Sequence, residues 1–309
     1  MQNTSLEGML QDMYVPFNCE FIVAQWENGY GYSLYEIYRV SRESSLQIDN
    51  FGFWTIDKGL TCSLKSIYSR RWNLQGIILK TAVLKSVAVT VTKNKDGNIT
   101  KIGGYLGRIW NTLEERLKFI SHYMESIDGA YGSPNKSGSW SGVIGMIQRK
   151  EVDAGPADLA ISVSRMEVVY FTSPILDLNH MIHNVDNNEQ AATSEVDSNG
   201  YLTGEYISTS GEKKKTNFPE DGSTLTIRRV YAEMKDRESN FPRSVEEGMN
   251  RLCFGKNKAF ILQTYMVYRW AKYLKCNVML APGTIIPASL ALPLVKGSPY
   301  IELFIYIVL

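Results

Sequence analysis

The sequence predicts an α/β protein with mostly parallel sheets, divided into two compact units. Three observations carry this reading. Runs of alternating β-branched residues are followed by segments that open with helix-start signals, and strands alternating with helices build parallel sheets. The chain has 309 residues, 44% hydrophobic and 21% charged, a length that favours two cores over one. A polar stretch over residues 184–219 interrupts the pattern.

The elements follow in order. Residues 1–70 are rich in aromatic side chains (WENGYGYSLYEIYRV, FGFWTI) without a clean period, and read as a small or partial α/β unit. Gln75–Leu84 and Ser86–Lys93 alternate as strands do, with Asn94–Gly97 as a tight turn before Ile99. Thr112 with Glu115 reads as a capping box, and Leu113, Leu117, Ile120 and Met124 make one apolar stripe, so an amphipathic helix should lie here on a sheet. Gly129–Gly138 is a turn-rich loop, Trp140–Gln148 a short helix pressed on a sheet, and Asp153–Ile161 a buried strand. Residues 184–219, with Lys213, Lys214 and Lys215 in a run and almost no aliphatic side chain, read as a linker of about 35 residues. Gly222-Ser223-Thr224 signals a helix start, Ser244 with Glu247 a second capping box, Ala259–Leu262 a short strand, and 264–275 a further helix.

Composition excludes several function classes. Lys plus Arg number 33 against 32 Asp plus Glu, a formal charge of +1, which gives no electrostatic reason for a nucleic-acid or anionic-membrane partner. The four cysteines (Cys19, Cys62, Cys253, Cys276) lack CxxC spacing; they make neither a disulfide scaffold nor a structural zinc site, and leave one bridge open. The N-terminus lacks the basic start and apolar core of a secretory signal. A spanning helix needs about 20 apolar residues in succession; Gly76–Thr92 is broken by Lys80 and Lys85, Ile285–Val295 carries Pro287 and Pro293, and Ile301–Leu309 ends with the sequence. Because free chain ends are usually polar, that last run reads as an element cut short. His180 and His183 have a metal-ligand spacing for a helix, but no Cys, Asp or Glu completes a set beside them. No metal and no cofactor are expected. No GxSxG, Cys-His motif or paired acids point to an enzyme, and Gly103-Gly104-x-x-Gly107 lacks the Lys of a phosphate cradle and reads as a turn. Sequons at Asn3, Asn98 and Asn135 are compatible with an exported domain.

The informative block is Gly138–Leu176, GSWSGVIGMIQRKEVDAGPADLAISVSRMEVVYFTSPIL. It holds Trp140-x-Gly142-x-x-Gly145, then Asp153-Ala154-Gly155, then Ile161–Pro174 with Arg165 four positions before Val169 and an aromatic-Thr-Ser-Pro ending. A second set follows: Asp221-Gly222-Ser223-Thr224, Ser244-Val245-Glu246-Glu247-Gly248, Ala259–Gln263 and Lys296-Gly297-Ser298-Pro299-Tyr300. Their order and spacing resemble the ligand-binding domain of ionotropic glutamate receptors, most closely the insect chemosensory branch known as ionotropic receptors. The resemblance covers roughly 70–183 and 204–309.

That resemblance implies a bilobed, periplasmic-binding-protein-like (type II) clamshell with two crossovers between lobes and the ligand between them. Lobe 1 would comprise 71–173 plus 288–309, and lobe 2 residues 174–287, with the polar linker 184–219 replacing the family's membrane segments. Residues 1–70 would be a partial N-terminal extracellular region. Arg165 falls where the family places its carboxylate-binding arginine, and a planar guanidinium in a partly desolvated cleft suits that task. Ser223 and Thr224 match a second-lobe contact, where a helix start offers free N–H groups to an acidic ligand. Two departures stand out: Gln263 replaces the acid that meets the ligand's ammonium, and Ala160 replaces a nearby Thr. A small carboxylic acid is therefore expected rather than glutamate, since an unpaired buried ammonium costs several kcal/mol. In the family the cysteine matching Cys276 bridges to one beyond residue 309, which leaves pairing with Cys253 as the less favoured alternative.

The function implied is the ligand-binding region of a chemosensory ligand-gated cation channel. In full length it would sit in the cell membrane with its binding domain outside, as a tetramer with a co-receptor. The alternatives are a soluble solute-binding protein of the same fold, and a transferase or dehydratase that would need an acid–base pair the sequence does not offer.

Overall fold

The computed structural model describes residues 6–27, 29, 31–86, 88–135, 137–185, 205–208, 245–255, 258–263, 267, 270, 272–280 and 286–308. After a short helix α1 (Leu6–Leu10), strands β1 (Ile22–Glu27), β2 (Gly31–Tyr38), β3 (Gln47–Thr55) and β4 (Gly59–Cys62) form an antiparallel sheet in the order β1-β2-β3-β4. The aromatic wealth of this region is thus a sheet feature. Trp26 lies opposite Tyr32 and Tyr32 opposite Trp54, with ring centroids 5.0 and 5.9 Å apart, the cross-strand pairing that stabilises such meanders. The α/β reading of residues 1–70 is corrected accordingly: α1 and α2 (Ile67–Arg70) are marginal beside the strands.

The first half of the main body is built on β5 (Ile78–Val83) and β8 (Ile120–Glu125), a parallel pair. The crossover between them contains a hairpin, β6 (Thr90–Lys93) and β7 (Ile99–Gly103), and helix α3 (Gly104–Leu117). The hairpin turn closes as the sequence suggests. Asn94 Oδ1 accepts from the N–H groups of Asp96 (3.0 Å) and Asn98 (2.9 Å), and Gly97 takes φ +84°.

Helix α3 differs from the expectation. Thr112 is an interior residue whose hydroxyl donates to the Arg108 carbonyl at 2.9 Å, not a cap. The buried stripe is Leu106, Trp110, Leu113 and Leu117. Lys118 at φ 56° ends the helix in a left-handed turn, so Ile120 and Met124 belong to β8. Their helical spacing continued the stripe by coincidence.

Downstream come α4 (Gly142–Gln148), α5 (Val163–Met166) and β9 (Val169–Phe171). Near the chain's end are β14 (Ile286–Leu290), β15 (Pro293–Val295) and a helix, α7 (Ile301–Val308). Asp153–Ile161 is not a strand. Ala154 makes single bridges to Thr81 and Leu294, and Ala160 one to Leu290; Pro156, which has no N–H, breaks the ladder between them. Helix α7 completes the core, stacking Phe304 on Trp110 (5.8 Å) and Phe119 (5.7 Å) from the far end of the chain. A second apolar cluster lies under α4, where Val143, Ile144 and Ile147 meet Val152, Leu159 and Val169.

The second sheet is organised around β10 (Leu176–Val185). It pairs antiparallel with β12 (Lys258–Gln263), β13 (Val278–Leu280) and β14, while β11 (Glu205–Ser208) runs parallel to β12. The chain passes between the two sheets twice, side by side: Thr172 N–H donates to Leu292 O at 3.0 Å and Ile175 N–H to Leu290 O at 2.8 Å. Helix α6 (Val245–Phe254) packs Met249 and Leu252 on Phe260 and Leu262.

Several expectations change. Among the named strand pairs of the described residues, β5–β8 and β11–β12 are parallel and the others antiparallel, because hairpins and the paired crossings supply most of the ladders. Residues 205–208, placed in the linker from their polar surroundings, are a strand. Of the helix expected over 264–275, residues 267 and 270 are helical, and much of the rest lies outside the described residues, as do most of the linker and the helix start at 222–224. His180 and His183 lie in β10, so the helical spacing that suggested a ligand pair is absent.

The disulfide is Cys253–Cys276, with Cα atoms 5.5 Å apart and 23 residues of separation, which corrects the pairing favoured by the family resemblance. Closing a loop of that length is expected to stabilise the α6–β12 region by about 2–4 kcal/mol. Urea unfolding with and without reductant measures it, and superimposable curves would mean that the bridge contributes nothing.

Candidate functional site

The site is assembled from one extended segment and one loop. In 157–160, Ala157 and Leu159 point into the core, which turns Asp158 and Ala160 the other way. Ser162 then caps α5, its hydroxyl accepting from the Arg165 N–H at 3.3 Å. This single helical turn folds Arg165 back over the segment it came from. Nη1 donates to the Ala160 carbonyl at 2.7 Å and Nη2 reaches the Gly132 carbonyl at 3.5 Å.

The loop holding Gly132 is fixed by the Trp140-x-Gly142-x-x-Gly145 motif. The carbonyls of Ala130 and Tyr131 accept from the N–H groups of Val143 (3.0 Å) and Ile144 (3.1 Å) at the start of α4, and Asp128 Oδ2 accepts from the Gly142 N–H at 2.9 Å. Gly142 has φ +64°, and a Cβ there would lie 2.2 Å from the Ala130 oxygen. At Gly145 a Cβ would lie 2.0 Å from the Trp140 oxygen. Gly142 permits the close approach that places the loop against Arg165, and Gly145 lets α4 close on the Trp140 carbonyl.

Electrostatically the site is a buried cation. Arg165 is 5% exposed; burial pushes its pKa down to about 10, with the nearby Tyr131 hydroxyl opposing the shift. It remains charged at neutral pH, and an incompletely solvated guanidinium favours an anion. Asp158 is a second neighbour of the Tyr131 hydroxyl. Burial pushes its carboxyl up, while the hydroxyls of Tyr131 and Ser86 pull it back down. Its Oδ1 is enclosed and accepts no hydrogen bond.

Of the residues expected at the site, the structure brings together Arg165 and Ala160, the latter through its carbonyl. Ser223 and Thr224 lie outside the described residues. Gln263 ends β12 opposite His180, and its side chain is likewise outside the described part. Sequence reasoning missed Tyr131 and Asp158. The signal available for the first is its place in a loop that the glycine motif clamps down, where the sequence by itself shows only a turn-rich run. A surface hollow of about 730 Å³ lies elsewhere, between α3 and α7 and beside Pro174, and shares no residue with this cluster.

The chain is similar to known proteins over this region. Residues 78–185 match the family described as ligated ion channel, L-glutamate- and glycine-binding site, and residues 1–84 match ionotropic receptor 75a N-terminal. The kainate-type ionotropic glutamate receptor glr-3 of Caenorhabditis elegans is 31% identical over 139 residues, 43% of this chain and 16% of that receptor. The human ionotropic glutamate receptor delta-2 is 30% identical over 131 residues, 42% of this chain and 13% of the receptor. The alignments thus span less than a fifth of either receptor. A solved structure, the Drosophila muscle GluRIIB complex with glutamate, superposes with a TM-score of 0.59 at 18% identity, covering 75% of this chain and 92% of that one. The architecture of two sheets joined by paired crossings is therefore a bilobed clamshell like that of this glutamate-receptor structure, and residues 78–185 are similar to the ligand-binding family named above.

Proposed function

We propose that this chain is the ligand-binding region of a chemosensory ligand-gated cation channel, and that a small carboxylic acid binds at Arg165. The observation that carries the reading is the enclosed guanidinium, oriented by the Ala160 and Gly132 carbonyls, a planar donor fork suited to a carboxylate. The match of residues 1–84 to an ionotropic receptor N-terminal region supports the chemosensory branch. Gln263 supplies an amide where an amino acid's ammonium would need an acid, so a carboxylate without an amine fits better.

In this reading lobe 1 is 71–173 plus 288–309 and lobe 2 is 174–287. The paired crossings at 172–176 and 290–293 are the hinge, and Ser223 and Thr224 close on the ligand from the second lobe. Closure by preferential binding of the closed state would pull on a pore in the full-length, membrane-bound tetramer, assembled with a co-receptor.

Short-chain carboxylic acids are expected to raise the thermal midpoint of the purified chain without being turned over. At 100 times Kd the stabilisation is about 2.7 kcal/mol. Glutamate and simple amines are expected to give none. A response to amines alone would overturn the carboxylate assignment.

A further inference from the structure

Two of the three sequons fall on exposed residues that take no part in the binding reading. We propose that Asn98 and Asn135 are N-glycosylation sites, both carried on the body built around β5 and β8 and both built so that the modification costs the fold no hydrogen bond. The inference rests on the extracellular placement proposed above, because the oligosaccharide donor is met only in the secretory lumen.

Asn98, in Asn98-Ile99-Thr100, stands exposed at the turn of the β6–β7 hairpin. Its backbone closes the turn: the N–H donates to Asn94 Oδ1 at 2.9 Å and the carbonyl accepts from the Asn94 N–H at 2.9 Å. The side-chain amide takes no part in that closure. Ile99, next along, turns inward and packs against the core, which anchors the strand while Asn98 faces water.

Asn135, in Asn135-Lys136-Ser137, uses its side chain differently. Oδ1 accepts three hydrogen bonds, from the Ser137 N–H (3.0 Å), the Ser137 hydroxyl (2.8 Å) and the Ser139 N–H (2.9 Å). Those bonds hold the loop between Pro134 and Trp140, which are themselves bridged. Glycosylation falls on the other end of the same amide. Nδ2 forms a bond to C1 of an oligosaccharide carried on a polyprenyl pyrophosphate, the C1–O bond breaks, the lipid pyrophosphate leaves, and Nδ2 loses one proton. Oδ1 stays an acceptor throughout, so the turn survives the modification. The third sequon, at Asn3, lies outside the described residues.

The positions carry a consequence for assembly. Asn135 is three residues from Gly132, whose carbonyl holds Arg165, so its glycan rises beside the binding site; that of Asn98 rises from the hairpin. A branched, hydrated glycan cannot be buried in a subunit contact. The loop over 133–139 and the hairpin turn are thereby faces that stay in water in any assembly of this receptor.

The test is cell-free translation of the full chain behind a cleavable secretion leader, with endoplasmic-reticulum microsomes. Protease-protected chains are read as a ladder of glycoforms on a gel. Asn98→Gln and Asn135→Gln are each expected to remove one step, the double variant two, and an inhibitory acceptor tripeptide every step. A protected chain whose ladder is unchanged by either substitution overturns the assignment of that residue. Because the microsome supplies the lumen, that result would leave acid binding at Arg165 standing, and loss of acid binding would leave the ladder unaffected.

Discussion

Arg165→Ala is expected to weaken carboxylic-acid binding by roughly 30-fold to several thousand-fold, the equivalent of about 2–5 kcal/mol for deleting one partner of a desolvated charge pair. Thermal shift or calorimetric titration with a short-chain acid measures it. The size follows from burial. A guanidinium that is 5% exposed works in a low-dielectric setting where a charge-assisted pair is strong, whereas an exposed pair is worth about 1 kcal/mol or less. Arg165→Lys should recover little. An ammonium is a compact point charge and cannot hold the Ala160 and Gly132 carbonyls while presenting a planar fork to a carboxylate. Removing the side chain also strips donors from two carbonyls, at about 1–3 kcal/mol for each one left unsatisfied, so Arg165→Ala should unfold at lower temperature as well. Arg108→Ala, which removes the same charge from an exposed position on α3, separates loss of the site from loss of net charge: it should bind as the parent does. Unchanged acid binding by Arg165→Ala would end the assignment of this site.

How far the sequence could carry these conclusions depended on the range of the interactions involved. Local signals were legible. The Asn94–Gly97 turn and helix α4 rest on contacts within a few residues, strand β12 shows in its short apolar run, and each forms near its expected place. Errors arose where a long-range pairing overrode a local period. Ile120 and Met124 continue a helical stripe in sequence, yet edge pairing with β5 and the left-handed Lys118 take them into a strand. Glu205–Ser208 was hidden in polar surroundings, because its strand character comes from pairing with β12, some fifty residues away. The site shows the same division. Arg165 was visible through its motif, whereas Asp158 and Tyr131 become neighbours only when the loop over 128–132 is laid on the start of α4. The Cys253–Cys276 bridge was open to the sequence but not selected by it, since the choice depends on where α6 ends relative to β13.

Glu36→Gln is expected to cost about 3–5 kcal/mol, the penalty for leaving buried cations without their counter-ion. Glu36 is 1% exposed and is shared between two arginines: Arg70 donates Nε to Oε2 at 3.0 Å and Nη2 to Oε1 at 2.6 Å, and Arg71 donates Nη2 to Oε1 at 2.9 Å. Arg71 is fully enclosed. It also donates to the Phe17 and Cys19 carbonyls and lies over the Tyr38 ring at 4.2 Å, while its Nε has no partner. One carboxylate therefore serves both arginines and fastens the β1–β4 meander to the end of α2. The glutamine variant keeps the shape and removes that charge, so the meander should loosen first, seen as faster proteolysis ahead of residue 70 and a lower urea midpoint. The sign with pH can be stated too. Burial pushes the Glu36 carboxyl up, but the hydrogen bond from Arg70 and the charges of both arginines outweigh it and hold the folded-state pKa below the ordinary 4.5. A group depressed in the folded state stabilises above its unfolded value and loses that contribution as pH falls through the folded one. The parent should therefore lose stability in acid below about pH 4.5, and Glu36→Gln, already without the charge, should lack this part of the acid limb. If instead the variant matches the parent in both urea midpoint and acid limb, the two arginines are solvated some other way and the meander is held by its aromatic contacts alone, through Phe17 against Tyr38 and Tyr300.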